Sequence, residues 1–500
     1  MAVERNQAYW LQKLTTLNIE GRAFIAGRYV DAAAGEQFDC HSPRDGRLLT
    51  AVQSCQQADA DIAVAAAKTA FDSGVWSETS PKYRKKVMLR FADLMAQHQE
   101  ELALLESLDM GKPVLEAESI DIKESIASIR WHAEAIDKVF DEVCPTSPDV
   151  LGMVTREPLG VIAAIVPWNY PLLMACWKLG PALATGNSVI VKPSEKSPLT
   201  MIRVAALATE AGLPDGVLNV LPGFGHTVGQ ALALHMDVEG LAFTGSTATG
   251  KRLLQFAGES NMKRAFMECG GKSPNIVFAD APNLDQLAVH VAESIFHNQG
   301  EVCTAASRLL IDASIKTDFV KKVVAAAAEM QPGDPLDDDA FMGAIVDDIQ
   351  LANIQRMVAM ALDEGAELRC GGEQVRADTG GYYFAPTIFD NVDNRMKIAQ
   401  QEVFGPVLTV IGFDTEEEAI AIANDTIYGL AAGVWTTDLG RAHRVAKKVR
   451  AGSMWVNTWD GGDMTTPFGG FKQSGNGRDK SLHAMEKYTE LKSVWINLDY

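Results

Sequence analysis

The sequence lacks the patterns of a secreted or membrane-spanning protein. Its first six residues do not join a basic segment to an apolar one, as a secretory signal does. The longest apolar candidate, residues 161–177, is interrupted by Pro167, Asn169 and Pro171, so it does not provide the roughly 20 uninterrupted residues of a membrane helix. We therefore expect a cytoplasmic protein that has no membrane partner.

The sequence also lacks basic runs of five or more residues. Its 500 residues include 65 acidic and 45 basic side chains, which gives a formal net charge of -20. Nucleic acid and anionic membranes both require a positive surface, so neither is expected as a partner. The acidity itself is typical of a soluble surface.

Metal-binding and disulfide patterns are missing as well. The seven cysteines are odd in number and widely spaced, and no C-x-x-C, H-x-H or H-E-x-x-H pattern occurs. This distribution of cysteines and histidines predicts reduced thiols and no metal site.

The residues that are present predict an α/β fold. Residues 57–75 and 80–140 are rich in Ala, Leu, Glu and Lys with helical apolar spacing. From residue 161, short β-branched runs at 161–166, 188–191, 217–220 and 241–243 alternate with helical patterns at 172–185, 197–212, 226–235 and 247–258. Such alternation predicts a doubly wound, mostly parallel sheet.

A second alternation begins near residue 267. Its predicted strands are 275–278, 308–311, 407–411 and 453–457, and it indicates a second α/β domain. A last apolar strand at 491–497 suggests pairing with another subunit, although it could equally close its own sheet.

Polar or glycine-rich residues follow each strand of the first sheet, where a doubly wound fold binds its ligand. Residues 243–250 form a strand-to-helix turn in which Gly245 and Gly250 allow a close backbone approach and the Ser246 hydroxyl favours a phosphate. Glu195, after another strand, is suited to accept hydrogen bonds from ribose hydroxyls. Taken alone, the first segment is more often a capped helix, and the second could equally be a helix cap.

Two further segments carry candidate catalytic groups. Cys303 follows a glycine-containing turn with polar neighbours, although a single cysteine is usually a small buried hydrophobe. Glu268 precedes two glycines and is suited to activate a water. Cys269 should point away from Glu268 if the segment is extended.

These segments together resemble the aldehyde dehydrogenase superfamily. Seven motifs occur in the family's order and spacing over nearly the whole chain: 166–171, 192–195, 243–247, 268–274, 298–303, 402–406 and 467–475. The chain departs mildly from the family pattern at Cys269, where Leu is usual, and at Glu301, where Gln is common.

The resemblance implies a domain arrangement. Residues 1–132 and 152–267 would form the NAD-binding domain, 268–474 the catalytic domain, and 133–151 with 475–500 a small β element for assembly into a homo-oligomer, a dimer or a dimer of dimers.

The resemblance also implies a mechanism. Cys303 attacks the aldehyde, the Asn169 amide and the Cys303 backbone N–H hold the oxyanion, and Glu268 activates the water that hydrolyses the thioester. Lys178 would support proton transfer. The implied cofactor contacts are Val166, Pro167, Trp168, Lys192, Ser194, Glu195, Gly225, Phe243, Thr244, Gly245, Ser246, Gly250, Glu402 and Phe404. Glu195 favours NAD, because a carboxylate repels the 2′-phosphate of NADP, but nearby Lys192 leaves NADP use open.

The C-terminal block 461–492 resembles the γ-glutamyl-γ-aminobutyraldehyde dehydrogenase branch, whose members oxidise ω-aminoaldehydes from polyamine (putrescine) breakdown. The resemblance implies γ-glutamyl-γ-aminobutyraldehyde, 3-aminopropanal, 4-aminobutanal or 4-guanidinobutanal as the substrate. A cationic substrate end favours carboxylates beside aromatic rings. The candidate rings are Trp177, Trp459 and Phe468, and the candidate anchors are Asp460 and Asp121, which could instead be a turn-stabilising and a solvated surface carboxylate. A broad-specificity or betaine-type dehydrogenase, a coenzyme-A-acylating member, a thiol hydrolase and a structural role stay as alternatives.

Overall fold

A seven-stranded, mainly parallel sheet forms the first half of the structure, a computed structural model that describes residues 5–499. In spatial order its strands are Arg264–Cys269, Gly240–Gly245, Val161–Ile165, Ser188–Lys192, Leu218–Val220, Ala23–Ile25 and Arg28–Val30. The first five strands are parallel, and the N-terminal hairpin adds two antiparallel ones. Strand Val161–Ile165 is buried on both faces, which explains its unbroken apolar sequence. The predicted doubly wound sheet is confirmed.

Helices cover both faces of the sheets, and seven of the seventeen α-helices of the described residues begin at a side-chain cap. In helix Pro81–Gln97, for example, the Ser80 hydroxyl accepts a hydrogen bond from the Tyr83 backbone N–H. The predicted helical region 80–140 is divided at Gly111, which has φ 94°. The α-helices of the described residues are Gln7–Leu14, Gln57–Asp72, Pro81–Gln97, Gln99–Met110, Val114–Glu116, Lys123–Ala135, Pro171–Ala184, Leu199–Glu210, Gln230–Leu234, Thr247–Glu259, Leu284–Phe296, Lys316–Ala328, Asp348–Asp363, Lys397–Gln400, Glu416–Asn424, Leu439–Lys448 and His483–Glu486.

A second seven-stranded sheet confirms the second α/β unit. In spatial order its strands are Glu367–Cys370, Thr387–Asp390, Val407–Phe413, Arg308–Asp312, Pro274–Val277, Ala431–Trp435 and Ser453–Val456. All neighbouring pairs are parallel except the edge strand Glu367–Cys370. Two-stranded ribbons join Gln37–His41 to Leu48–Gln53 and Gln374–Val375 to Tyr383–Phe384.

A small third sheet contains the terminal strand. Strand Thr489–Asn497 pairs antiparallel with Val150–Pro158, which in turn pairs with Glu142–Cys144. The terminal strand therefore pairs within its own chain, and its other edge has no strand neighbour among residues 5–499. Because Val150–Pro158 is one strand, the boundary expected between residues 151 and 152 falls inside it, and the domain division stays a prediction.

Within the described range, no helix has both the length and the apolar character needed to cross a membrane.

Candidate active site

One cavity of about 580 Å³ lies where the first sheet meets the second α/β unit. Three adjacent strands of the first sheet, Val161–Ile165, Gly240–Gly245 and Arg264–Cys269, end at it. Cys303 and Asn169 both line this cavity. The ligand position expected from a doubly wound sheet is therefore where the candidate nucleophile lies.

A strained turn positions Cys303. Asn298, Gln299 and Gly300 are consecutive left-handed residues, with φ 47°, 56° and 70°. Side-chain hydrogen bonds hold this turn, because Gln299 Oε1 accepts from the Gly343 N–H at 2.8 Å and the Asn298 amide donates to the Glu301 carbonyl at 3.2 Å. Strain of this kind persists only where the surrounding structure fixes it, and it is common at active sites.

The Cys303 thiol is partly exposed to the cavity. Burial raises its pKa above the usual value, and the carboxylates of Glu402, Asp460 and Glu268 raise it further. The thiol is therefore protonated in this structure at neutral pH, and it must lose its proton before it attacks a substrate.

Asn169 lines the same cavity as Cys303 and is almost fully buried. Its amide nitrogen donates one hydrogen bond, at 2.8 Å, to the Glu301 carbonyl. An amide nitrogen carries two hydrogens, so the second remains for a ligand oxygen in the cavity. This arrangement matches the oxyanion-binding role expected for Asn169.

Glu268 lies behind the cavity wall. It is on strand Arg264–Cys269, is 3% exposed, and does not line the cavity. Its carboxylate instead points toward Gly469 and Gly477, where an added Cβ would come within 2.7 and 2.8 Å of Oε1. Neither carboxylate oxygen has a hydrogen-bond partner among the described residues. Burial raises the Glu268 pKa well above its usual value, and Asp479 raises it further.

A buried charge cluster lies next to Glu268. Asp479 pairs with both Lys178 and Lys487, and these two lysines hold the pKa of Asp479 below its usual value against the opposing effect of burial. Lys178 is 1% exposed and does not line the cavity. Asp479 was not identified from the sequence, because nothing local marks an aspartate that pairs with a lysine 301 residues away.

Seven of the fourteen residues expected to contact the cofactor line the same cavity as Cys303. They are Pro167, Trp168, Thr244, Gly245, Ser246, Glu402 and Phe404. The Trp168 and Phe404 rings meet edge to face, 5.1 Å apart. Ser246 caps helix Thr247–Glu259 by accepting from the Thr249 N–H, so the positive end of that helix faces the cavity. Burial raises the pKa of Glu402 to about 7, although the Gly271 N–H donates to it at 3.0 Å.

The other seven lie outside this cavity. Lys192 and Glu195 form an ion pair of 3.1 Å at the end of strand Ser188–Lys192. Gly225 begins a π-helical turn, and a Cβ added there would meet open space. At Gly250 a Cβ would lie 2.8 Å from the Cys269 Sγ, so the glycine allows a helix to pack on a strand. The expected cofactor contact of Gly250 stays a prediction. The remaining three, Val166, Ser194 and Phe243, are buried.

Three of the five expected substrate residues line the cavity: Trp177, Asp460 and Phe468. The Trp177 and Phe468 rings are 5.1 Å apart. Asp460 is exposed at the cavity mouth; crowding by protein atoms raises its pKa, while nearby His297 and Lys480 lower it. Trp459 lies in an adjoining cavity that also reaches Asp460.

The expectation for Asp121 is wrong. Its side chain is fully buried and pairs with Lys112, so it neither lines the cavity nor lies on a solvated helix face. Asp121 lies in the π-helical turn Ala117–Ile122, which inserts a residue and changes the face on which later residues fall. Glu124, three residues later, lines the cavity instead.

Several cavity residues were missed by the sequence analysis: Glu124, Tyr170, Met174, His297, Trp455 and Lys480. Tyr170, Met174 and His297 stand beside motif residues, so proximity in sequence was a usable signal. Lys480 follows the motif 467–475 but gives no local sign that it faces a ligand. Within residues 5–499, no group of three or more metal-ligating side chains is found.

Comparisons with known proteins agree with this geometry. The model of the aldehyde dehydrogenase family matches residues 29–494. The NADP/NAD-dependent aldehyde dehydrogenase PuuC of Escherichia coli is 53% identical over 492 residues, which cover 98% of this chain and 99% of the relative.

Solved structures show the same fold over the whole chain. The indole-3-acetaldehyde dehydrogenase AldA of P. syringae, solved with NAD+, is 62% identical with a TM-score of 0.98, and the match covers 99% of this chain and 100% of that chain. The γ-glutamyl-γ-aminobutyraldehyde dehydrogenase from Burkholderia cenocepacia is 57% identical with a TM-score of 0.97 at the same coverage.

Proposed function

The chain belongs to the aldehyde dehydrogenase family, and we propose that it oxidises ω-aminoaldehydes to carboxylic acids through a thioester on Cys303. The observation that carries the proposal is a single cavity that holds Cys303, Asn169, aromatic rings and, in addition to Glu402, two exposed carboxylates, Asp460 and Glu124. A nucleophile and an oxyanion donor provide the chemistry, and the carboxylates and rings provide a place for a distal ammonium group.

The first step is attack of the Cys303 sulfur on the aldehyde carbon, after the thiol has released its proton to solvent. The oxygen of the resulting adduct becomes negative, and the free N–H of the Asn169 amide with the Cys303 backbone N–H is suited to hold it. Removing one such donor typically costs about 3 kcal/mol of transition-state stabilisation.

The cavity residues fit a nicotinamide dinucleotide. Ser246 and the N-terminus of helix Thr247–Glu259 provide donors for a pyrophosphate, and Glu402 provides an acceptor for ribose hydroxyls. Bound NAD supplies the acceptor for the hydride that leaves the adduct. Lys192 and Glu195 are suited to hold the adenosine ribose. Their ion pair offsets part of the Glu195 charge, which is consistent with some use of NADP.

The last step is hydrolysis of the thioester, for which Glu268 is the proposed base. Its carboxylate must turn from Gly469 and Gly477 toward Cys303, where contact with water lowers its pKa and allows it to accept a proton. We assign Lys178 to the resting position of Glu268, where the cation partly offsets the cost of burying the carboxylate, whereas Asp479 opposes that charge and holds Lys178 in place through their ion pair.

The proposed substrate class follows from the cavity mouth. Asp460 and Glu124 are exposed carboxylates, and Trp177, Phe468 and Trp455 supply ring faces. An ammonium group gains from both kinds of contact. The name of the Burkholderia cenocepacia relative is consistent with such a substrate.

An arylacetaldehyde is the second candidate substrate. The specific observation in its favour is the aromatic lining, together with the 62% identity to the P. syringae indole-3-acetaldehyde dehydrogenase. Such a substrate would use the rings but leave Asp460 and Glu124 without a role.

An assay of NAD reduction separates the two candidate substrate classes. It uses five aldehydes: 3-aminopropanal, 4-aminobutanal, propanal, butanal and indole-3-acetaldehyde. We expect kcat/KM to be higher for each aminoaldehyde than for the uncharged aldehyde of equal length. In the Asp460→Asn variant, KM should rise much more for 3-aminopropanal than for propanal. Equal effects on both aldehydes, or the highest kcat/KM for the indole substrate, would contradict the proposal.

The quaternary structure and cellular location belong to the same proposal. We propose a homo-oligomer, a dimer or a dimer of dimers, assembled through the free edge of strand Thr489–Asn497. Leu491 and Trp495 on this strand are 64% and 68% exposed, which is consistent with a covered surface in an oligomer. The cytoplasmic location expected from the sequence stays a prediction.

A further inference from the structure

Lys487 belongs to the buried charge cluster behind the cavity wall, and the proposed function gives it no role. The cluster consists of Glu268, Lys178, Asp479 and Lys487, and each of the four is at most 6% exposed. One carboxylate oxygen of Asp479 pairs with Lys178 and the other pairs with Lys487. Glu268 lies close enough to feel all three charges.

The charges of this cluster balance only if Lys487 is included. Lys178 and Lys487 contribute two positive charges, and Asp479 contributes one negative charge. An ionised Glu268 therefore makes the cluster neutral. Without Lys487, an ionised Glu268 would leave one negative charge that nothing compensates. Such a charge is costly to bury, so a carboxylate would take up a proton instead.

Glu268 is the carboxylate that would take up this proton. Asp479 would still pair with Lys178, whereas neither oxygen of Glu268 has a hydrogen-bond partner among the described residues. Burial and Asp479 raise the pKa of Glu268, and Lys178 and Lys487 both lower it. Loss of Lys487 should therefore raise the pKa of Glu268.

The other titratable side chains around the cluster do not replace the charge of Lys487. His132 is fully buried, and burial lowers its pKa to about 4, so its ring is neutral at pH 7. Arg478 is positive and lowers the pKa of Glu268, but it is partly exposed, and water weakens its effect. Burial raises the pKa of three further neighbours, which are neutral as well: Tyr488, Cys269 and Cys303.

The fold fixes the position of Lys487. The next residue, Tyr488, is 1% exposed, and its carbonyl accepts hydrogen bonds from the Leu159 N–H at 3.2 Å and from the Asn187 amide at 3.0 Å. The Lys487 Nζ lies 5.3 Å from the centre of the Tyr488 ring and pairs with Asp479. An anchored backbone therefore holds the ammonium group in the cluster.

We propose that Lys487 is a positioning residue whose charge shifts Glu268 toward the ionised form at rest, ready to accept a proton from water when it turns toward Cys303. The inference rests on the proposed role of Glu268 in thioester hydrolysis. It assigns control of that base to a residue that does not line the catalytic cavity.

Infrared spectroscopy of the full-length protein without substrate measures the protonation of Glu268. A protonated carboxyl group has a C=O band that its ionised form lacks, and the loss of this band in Glu268→Gln identifies the contribution of Glu268. The band is followed between about pH 5 and pH 10 in wild type, Lys487→Met and Lys487→Arg. The control is Lys447→Met, at an exposed lysine of helix Leu439–Lys448.

We expect Lys487→Met to move the midpoint of the Glu268 band upward by roughly one pH unit or more, because a nearby opposite charge is lost. Lys487→Arg retains the charge and should retain the midpoint, and Lys447→Met should not move it. The acid limb of the pH profile of kcat should shift upward in Lys487→Met as well. This profile is measured with NAD and whichever of the five aldehydes reacts best.

Asp479→Asn provides a second measurement in case Lys487→Met does not fold. Asn at position 479 removes the negative charge that opposes Glu268, so the midpoint should fall below the wild-type value. Adding Lys487→Met to this variant removes one positive charge and should return the midpoint toward wild type. A merely structural role of Lys487 predicts no such reversal, because the double variant lacks both partners of the ion pair.

An unchanged midpoint on loss of Lys487, in either background, would overturn the proposal. Failure of the proposed function looks different. In that case the infrared midpoint would move with the charge of Lys487, while the pH profile of kcat would stay the same, because another group would be the base in hydrolysis.

Discussion

At the scale of single residues, the predicted catalytic groups fall into two sets. Cys303 and Asn169 line the cavity, whereas Glu268 and Lys178 lie behind its wall. The sequence motif identified Glu268 as a base. The side-chain conformation of Glu268, however, depends on Gly469 and Gly477, because these glycines lack side chains and leave room for the buried carboxylate. The structure therefore shows a resting position of the proposed base.

Replacing Glu268 with Gln tests its role in hydrolysis. The amide cannot accept a proton from water, so the thioester should persist after the first oxidation. We expect a stoichiometric burst of NADH followed by steady-state turnover that is lower by about 100-fold or more. Rapid-mixing measurements of NADH absorbance check this, with Glu486→Gln, an exposed position on the short helix His483–Glu486, as the control. Loss of the burst itself would assign Glu268 to an earlier step.

At the scale of elements, helix Thr247–Glu259 connects the first sheet to the cofactor site. Its N-terminus faces the cavity, and Ser246 both caps the helix and lines that cavity. One hydroxyl therefore contributes to helix stability and, in the proposed complex, to anion binding.

Two variants that each remove one helix N-cap separate the contribution of Ser246 to helix stability from its contribution to NAD binding. Ser246→Ala and Ser80→Ala each remove an N-cap, and each should lower the free energy of unfolding by about 1 kcal/mol. Only Ser246→Ala should weaken NAD binding, because Ser80 caps the helix Pro81–Gln97 and does not line the cavity. Urea denaturation and titration calorimetry with NAD measure the two effects. Equal NAD affinities in both variants would remove Ser246 from the cofactor site.

At the scale of the whole molecule, the buried carboxyl group of Glu301 links stability to pH. Glu301 is fully buried, and burial raises its pKa well above the usual value. The unfolded chain releases this proton above about pH 4.3, while the folded chain keeps it. Folding therefore becomes less favourable as the pH rises above that value, up to the raised pKa of the folded state.

The Glu301→Gln variant should not show this loss. Gln can still accept the hydrogen bond that the Val346 N–H donates to Oε1 at 3.2 Å. We expect the Tm of the variant, relative to wild type, to rise with pH from pH 5.5 upward in thermal-shift measurements, until the pH reaches the raised pKa of Glu301 in the folded state. Glu259→Gln, at an exposed helix end, serves as the control and should show a constant difference. A constant difference for Glu301→Gln as well would contradict the argument.

Assembly is the second property of the whole molecule. If the free edge of strand Thr489–Asn497 forms the proposed interface, Trp495→Glu places a charge in it and should shift the protein toward smaller species. Light scattering coupled to gel filtration measures the mass. Leu439→Glu, at a helix residue that is 73% exposed outside the small sheet, should leave the mass unchanged. An unchanged mass in both variants would exclude this edge as the interface.

The sequence by itself determined the alternation of strands and helices, placed Asn169 after the carboxyl end of a strand, and placed Cys303 after a glycine-containing turn. These properties depend on local patterns and on the direction of parallel strands. Only the tertiary structure decided that Glu124 rather than Asp121 reaches the cavity, that Lys480 joins Asp460 there, and that Glu268 rests behind the wall. Those positions depend on packing between segments far apart in the chain, as in the pairing of Lys178 with Asp479 across 301 residues. No local sequence pattern encodes such packing.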